Sequence, residues 1–122
     1  MSQEWNAGAR ILVVEDEYYV ADDLRVLLGK AGMEVLGPVP TVGQARDLIG
    51  EDDRVDAVLL DINLRGDMAY DLADELRAGR VPFAFVTGYD RSVLPDRFAD
   101  SPAMSKPLKA DQLGSLLSRL LP

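Results

Sequence analysis

Three hydrophobic runs in this chain each stop on a polar residue. Ile11-Leu12-Val13-Val14 ends at Glu15-Asp16, Val58-Leu59-Leu60 at Asp61, and Phe83-Ala84-Phe85-Val86 at Thr87. Short, continuous apolar runs predict parallel strands covered on both faces. The first strand is expected over Arg10 to Val14, the third over Val55 to Leu60 and the fourth over Pro82 to Val86. A short second strand over Glu34 to Gly37 is expected to stop at Gly37-Pro38, and Ala103 to Ser105 fits a brief fifth.

Between these runs the period changes to that of a helix. Val20, Ala21, Leu24, Leu27, Leu28 and Ala31 recur at three- and four-residue spacing before Gly32, a C-terminal stop. Thr41 and Gln44 resemble a capping box ahead of a second helix that carries Val42, Ala45, Leu48 and Ile49. Leu72, Ala73 and Leu76 place a third helix over Ala69 to Ala78, with Gly79 as its stop, and Leu113, Leu116, Leu117 and Leu120 mark a final one over Ala110 to Leu121. Pro95 and scattered charges leave only a short or irregular helix between Gly88 and Asp100. Asn63 to Asp67 reads as a loop turning at Gly66. Met1 to Ala9, with a lone Trp5, reads as a flexible tail before a domain spanning 10–122.

Strand and helix alternate five times, which predicts an α/β fold: a doubly wound, five-stranded parallel sheet with helices on both faces. Ligands of such sheets bind outside the carboxyl ends of the strands. Glu15, Asp16, Asp61, Thr87 and Lys106, which precedes Pro107, therefore become candidates for one site. Carboxylates, a hydroxyl and an ammonium together suit a divalent metal and a phosphoryl group.

Composition narrows this chemistry. The 122 residues include no cysteine, which excludes disulfides and thiolate metal sites, and no histidine, which excludes His-based zinc sites, Ser-His-Asp triads and phosphohistidine on this chain. A metal held here is a hard cation on oxygen ligands. The formal net charge of −8 argues against nucleic-acid binding, which needs a basic face. No stretch is apolar enough to span a membrane and the N-terminus does not read as a signal peptide, so a cytoplasmic location is expected.

With these residues in place the chain resembles a response-regulator receiver domain. Val13-Val14-Glu15-Asp16-Glu17 matches the acidic pair, Leu59-Leu60-Asp61-Ile62-Asn63-Leu64 the phosphoacceptor segment, Val86-Thr87-Gly88 the switch hydroxyl and Ser105-Lys106-Pro107-Leu108 the lysine-proline step. Each piece alone is weak; four in order at strand ends, with Asp16, Asp61, Thr87 and Lys106 spaced by 45, 26 and 19 residues, are together specific. Pro82 to Tyr89 also resembles the Phe-Ala-Thr-Gly-X-Tyr motif of an atypical, often stand-alone receiver subfamily paired with an atypical class of histidine kinase. It departs from that motif at Val86, which replaces the alanine, and at Tyr89, which directly follows Gly88.

The resemblance implies a flavodoxin-like fold with a reduced fourth helix. It also implies that Asp61 accepts a phosphoryl group from a partner histidine kinase or phosphotransferase protein. Mg²⁺ (or Mn²⁺) would be held by Glu15, Asp16, Asp61 and the Asn63 backbone carbonyl. Thr87 and Lys106 would contact the phosphoryl group, and the Lys106-Pro107 bond would be cis. Ala103 stands where typical receivers carry an aromatic switch, so Tyr89 is the expected substitute. Met68 and Tyr70 flank the phosphoacceptor loop as either kinase contacts or packing residues. An unknown downstream protein, and a monomer or weak dimer, complete the expectation.

Other readings carry different signatures. A phosphate sink or relay uses the same chemistry, and a phosphorylation-independent scaffold would not need the occupied key positions. A haloacid-dehalogenase-type phosphatase needs an aspartate where Asn63 stands. A nucleotide or flavin module cradles phosphate on a Gly/Ser/Thr-rich first loop, whereas this loop is Glu15-Asp16-Glu17.

Overall fold

The computed structural model describes residues 8–51, 54–64, 67–88, 94–106 and 108–121, with Asp67 and Met68 as backbone only. Tyr89, Pro107, Gly66 and Trp5 lie outside these residues, as does the Met68 side chain. The elements run β1 (Arg10–Val14), α1 (Tyr18–Lys30), β2 (Glu34–Val39), α2 (Val42–Glu51), β3 (Ala57–Asp61), β4 (Asn63–Leu64), β5 (Asp67–Met68), α3 (Tyr70–Ala78), β6 (Phe83–Thr87), β7 (Ala103–Ser105) and α4 (Ala110–Leu120). Among the described residues a 3₁₀ turn, Asp96–Phe98, lies between β6 and β7, in line with the short helix expected there.

The main sheet has the order β2-β1-β3-β6-β7, and every pairing in it is parallel. Alternate residues of each central strand feed opposite cores. Leu12, Val14, Val58, Leu60, Phe83 and Phe85 pack with Ala45, Leu72, Leu76 and Phe98 on the side of α2 and α3. Ile11, Val13, Leu59, Ala84 and Val86 pack with Leu24, Leu28, Leu113, Leu116 and Leu117 on the side of α1 and α4. The α4 leucines are thus core residues. Burial on both faces is why the strands read as unbroken apolar runs.

Helix ends explain where the chain turns. At α1 the Gly32 N–H donates to Gly29 O (3.0 Å) and the Met33 N–H to Leu28 O (3.1 Å), with Gly32 at φ 83°, which is a Schellman stop on the glycine expected from sequence. At α2 the Gln44 N–H donates to Thr41 Oγ1 at 3.1 Å, which is the expected N-terminal cap. At α3 the left-handed residue is not Gly79 but Arg80, at φ 59°. Its N–H donates to Arg77 O and the Val81 N–H to Leu76 O, the same Schellman pattern, while the helix ends at Ala78 with Gly79 as its cap, as expected. A side chain in this region costs about 1–2 kcal/mol. Arg80→Gly is therefore expected to raise stability by about 1 kcal/mol, read as a higher urea midpoint at unchanged slope. A lower midpoint would contradict this account of the α3 end.

Strand β2 does not stop at Gly37-Pro38. Leu12 pairs with Leu36 and Val14 with Val39, so β2 carries one extra residue between two rungs and runs on to Val39. This bulge absorbs the cis Gly37-Pro38 bond and the left-handed Gly37, φ 81°. A Cβ at Gly37 would lie 2.8 Å from Val39 N and 3.1 Å from Val13 O, both backbone atoms. Gly37→Ala is accordingly expected to cost about 2 kcal/mol, from φ strain plus the clash, in equilibrium unfolding. Asn63 to Asp67, expected as a loop, contributes instead to the antiparallel β4-β5 ribbon, in which Asn63 pairs with Met68. Gly8 and Ala9, assigned to the tail, are tied to the α1–β2 turn: Gly8 N–H donates to Gly32 O and Ala9 O accepts from Glu34 N–H.

Candidate functional site

Strand register brings the candidate residues to one end of the sheet. Val14 is the partner of Leu60, so Glu15 emerges from β1 level with Asp61 at the end of β3. Asp61 is the partner of Val86, and Thr87 follows it on β6 opposite Ser105. Lys106 is the next residue after β7, and its N–H donates to Thr87 O at 2.9 Å. The β2 bulge matters here too: Val39 O accepts the Glu15 N–H at 2.9 Å, which extends the ladder and fixes the direction of the Glu15 side chain.

Three polar groups at this edge are nearly inaccessible: Glu15 (3%), Asp61 (5%) and Thr87 (1%). The Lys106 ammonium joins them. Its Nζ lies 3.1 Å from Glu15 Oε1, 3.4 Å from Asp61 Oδ2 and 2.9 Å from Glu17 Oε1. Burial works against the Lys106 charge, but the carboxylates of Glu17, Glu15 and Asp61 outweigh it and hold the ammonium above the usual lysine range. Glu15 shifts the other way for an acid. Burial pushes its carboxyl up to about 8, and the adjacent Asp61 adds to the shift against the hydrogen bond from Glu17 N–H and the Lys106 charge.

Glu15 Oε2 accepts the Glu17 N–H at 3.1 Å. Oε1 is buried and, despite its proximity to Lys106, sits outside hydrogen-bond geometry with any partner among the described residues. A buried carboxylate oxygen in that position is costly unless a cation satisfies it. One oxygen each from Glu15, Asp16 and Asp61 falls within 4.8 Å of the others. This all-oxygen donor set, partly open to solvent at Asp16, fits a small hard divalent cation that keeps some of its waters.

Residues 11–118 match the response regulator receiver domain family. The chain belongs to that family. The regulator PhyR of Methylorubrum extorquens is 30% identical over 117 residues, which cover 93% of this chain and 44% of PhyR; the chain thus spans less than half of that relative's length. The solution structure of SdrG from Sphingomonas melonis Fr1 matches with a TM-score of 0.83 at 34% identity, covering 93% of this chain and 96% of that one. The receiver domain of the sensor histidine kinase PA1611 from Pseudomonas aeruginosa PAO1, solved with a magnesium ion coordinated in its active-site cleft, matches with a TM-score of 0.78 at 29% identity, covering 93% and 98% of the two chains.

Glu15, Asp16, Asp61 and Lys106 are thus gathered as expected, and Thr87 is buried at the same strand ends. Asn63 enters β4, and its N–H donates to Asp61 Oδ1 at 3.4 Å, which leads the loop past the carboxylate. One member of the site was missed. Glu17 reads in sequence as a helix-start acid and does precede α1, but its side chain makes no capping hydrogen bond and reaches Lys106 instead. The Glu15-Asp16-Glu17 run was the available signal.

Tyr70 is a packing residue, stacked on Phe98 at 5.8 Å and edge-on to Phe85 at 6.4 Å. Ala103 pairs with Phe85 in register and packs on the same cluster, whose bulk comes from Phe85 and the fully buried Phe98. The expected switch positions Tyr89 and Pro107 lie outside the described residues.

Proposed function

We propose that this protein is a phosphoacceptor of two-component signalling, taking a phosphoryl group from a phosphohistidine of a partner kinase or phosphotransferase onto Asp61. The observation that supports this reading is the buried Asp61 carboxylate gathered with Glu15 and Asp16 and in reach of the Lys106 ammonium. In the transfer, an Asp61 oxygen forms the new bond to phosphorus as the phosphorus–nitrogen bond to the partner's imidazole breaks, its electron pair remaining on that nitrogen. Glu15, Asp16 and Asp61, with the Asn63 carbonyl, would hold Mg²⁺ (or Mn²⁺). The ion supplies the positive charge that lets a phosphoryl group approach carboxylates. Lys106 balances charge on the arriving oxygens as a point-charge donor, and Thr87 donates a hydrogen bond to one of them.

The two states then differ in population, and a partner protein in the cytoplasm reads the difference. SdrG, 35% identical over 95% of this chain, has been solved in a BeF₃-activated conformation, which supports a two-state reading here.

The test is incubation with acetyl phosphate and Mg²⁺, followed by intact-mass measurement. The wild type is expected to gain one phosphoryl group, and Asp61→Asn and EDTA-treated samples none. No mass gain in the wild type would leave a phosphorylation-independent scaffold as the better reading. Steady hydrolysis of small phosphoesters would instead revive the phosphatase reading.

A further inference from the structure

The opposite end of the sheet, where β6 and β7 begin, holds an open cleft of about 450 Å³. That volume lies within the range of small-molecule sites, about 300–1,000 Å³. Its floor is apolar, from Val81, Pro82, Phe83, Pro102 and Leu120, and three arginines, Arg77, Arg80 and Arg97, line it. Asp96 and Asp100 line the same cleft, so its charge is mixed, and what sets it apart is two arginines without a carboxylate partner among the described residues.

The three arginines differ in their partners. Arg97 is matched by Asp74 in a two-pronged ion pair of 3.0 and 3.1 Å. Arg77 has no carboxylate partner among the described residues. Its two terminal nitrogens donate to neutral acceptors, Arg97 O at 2.7 Å and the Oγ of the buried Ser101 at 3.1 Å, and its guanidinium lies 4.7 Å from the centre of the Phe98 ring. The exposed group is therefore held in place by neutral acceptors and an aromatic face rather than by a carboxylate. The Arg80 side chain makes no hydrogen bond or ion pair among the described residues, although it projects from a backbone position that glycine would occupy without strain. Asp96 and Asp100 are both exposed, and neither pairs with Arg77 or Arg80. A non-glycine residue held in the left-handed region at a cleft, with an exposed guanidinium free to meet a ligand, is the backbone pattern that functional positions share.

We propose that this cleft binds a small organic anion, an oxyanion on an apolar body, with Arg77 and Arg80 on the oxyanion and the Val81–Phe83 floor under the body. The planar forks of arginine match phosphate and carboxylate oxygens in a way that lysine does not. The site is separate from Asp61 and does not depend on the phosphoacceptor reading.

The experiment is an amide NMR titration of the full chain in EDTA with phenyl phosphate, with inorganic phosphate and phenol in parallel. Phenyl phosphate is expected to give saturable shifts centred on Arg80, Val81 and Ser101, with tighter binding than either fragment. Arg80→Gly, which keeps the fold and removes the charge, is expected to weaken binding by about tenfold, the loss of one charge-assisted contact. Arg77→Gln is expected to weaken it similarly. Shifts centred on Lys106, equal affinity for inorganic phosphate, unchanged binding in Arg80→Gly, or no saturable shift at all would each overturn the proposal.

Discussion

Lys106→Met is expected to destabilise the metal-free protein by about 3 kcal/mol at pH 9.5, where Glu15 is ionised, and by only about 1 kcal/mol at pH 6, where Glu15 holds its proton. The size follows from what the ammonium touches. Glu15 and Asp61 are buried, and Lys106 Nζ stands 3.1 and 3.4 Å from their oxygens. Above about pH 8, removing it leaves two carboxylates facing each other with no cation, the situation in which breaking a buried pair is most costly. Glu17, the third partner, is well exposed, and its contact adds little. The methionine keeps the aliphatic stem, so the comparison isolates charge from packing. The pH dependence arises because Glu15 takes up a proton at lower pH and the repulsion disappears.

The same substitution is expected to strengthen binding of Mg²⁺, because the ammonium and the ion compete for the same oxygens. Urea unfolding at the two pH values, with and without Mg²⁺, reads both effects. A loss independent of pH, or a variant that gains less from Mg²⁺ than the wild type, would contradict this account of the pocket.

How far these interactions can be read from sequence differs from residue to residue. The strands were legible because both faces are buried, so each run is apolar without alternation and ends abruptly at the buried polar groups of the site. That same ending exposed Asp61, Thr87 and the Glu15-Asp16 pair. Helix starts and stops were legible where local chemistry sets them, as at Thr41 and Gly32.

The misreadings lie where tertiary structure overrides a local rule. Proline ordinarily ends a strand, yet Pro38 sits inside β2 because the bulge at Gly37 takes up the extra residue. Gly79 does cap α3, but the left-handed conformation that usually falls to a glycine is taken by the next residue, Arg80. Phe98 lies among Asp96, Arg97 and Asp100 and so reads as part of a charged loop, but it is fully buried, with Arg77 and Arg97 lying over its ring at 4.7 and 4.8 Å. Glu17 escaped because a helix-start acid has a sufficient local explanation. Its reach to Lys106, across 89 positions of sequence, is a product of topology alone.

Glu15 provides the second large effect, and its sign can be worked out. Its carboxyl titrates at about 8 in the folded chain, against an ordinary value of 4.5. Between those two pH values the folded chain holds a proton that the unfolded chain has released, so stability falls as pH rises through this window. The contribution is fully present below about 4.5 and lost once pH passes about 8. Each tenfold change in acidity is worth about 1.4 kcal/mol, so the loss across the window is at most about 5 kcal/mol, the Lys106 charge being already included in the value of about 8.

Glu15→Gln fixes the uncharged form and is expected to remove most of this slope, leaving the metal-free variant more stable than the wild type at pH 8 and about equal at pH 5. The Mg²⁺ response reverses that ranking. A hard cation requires the ionised carboxylate, so its binding to the wild type releases the Glu15 proton and strengthens as pH rises, whereas the glutamine variant binds weakly at every pH. Denaturant unfolding across pH 5 to 9, as the difference between the two proteins, measures the first effect. Calorimetric Mg²⁺ titration in buffers of different ionisation enthalpy counts the released proton. A wild type that gains stability relative to Glu15→Gln as pH rises without metal would show that Glu15 is already ionised in the free pocket. The resting site would then be held by Lys106 charge pairing rather than by a proton.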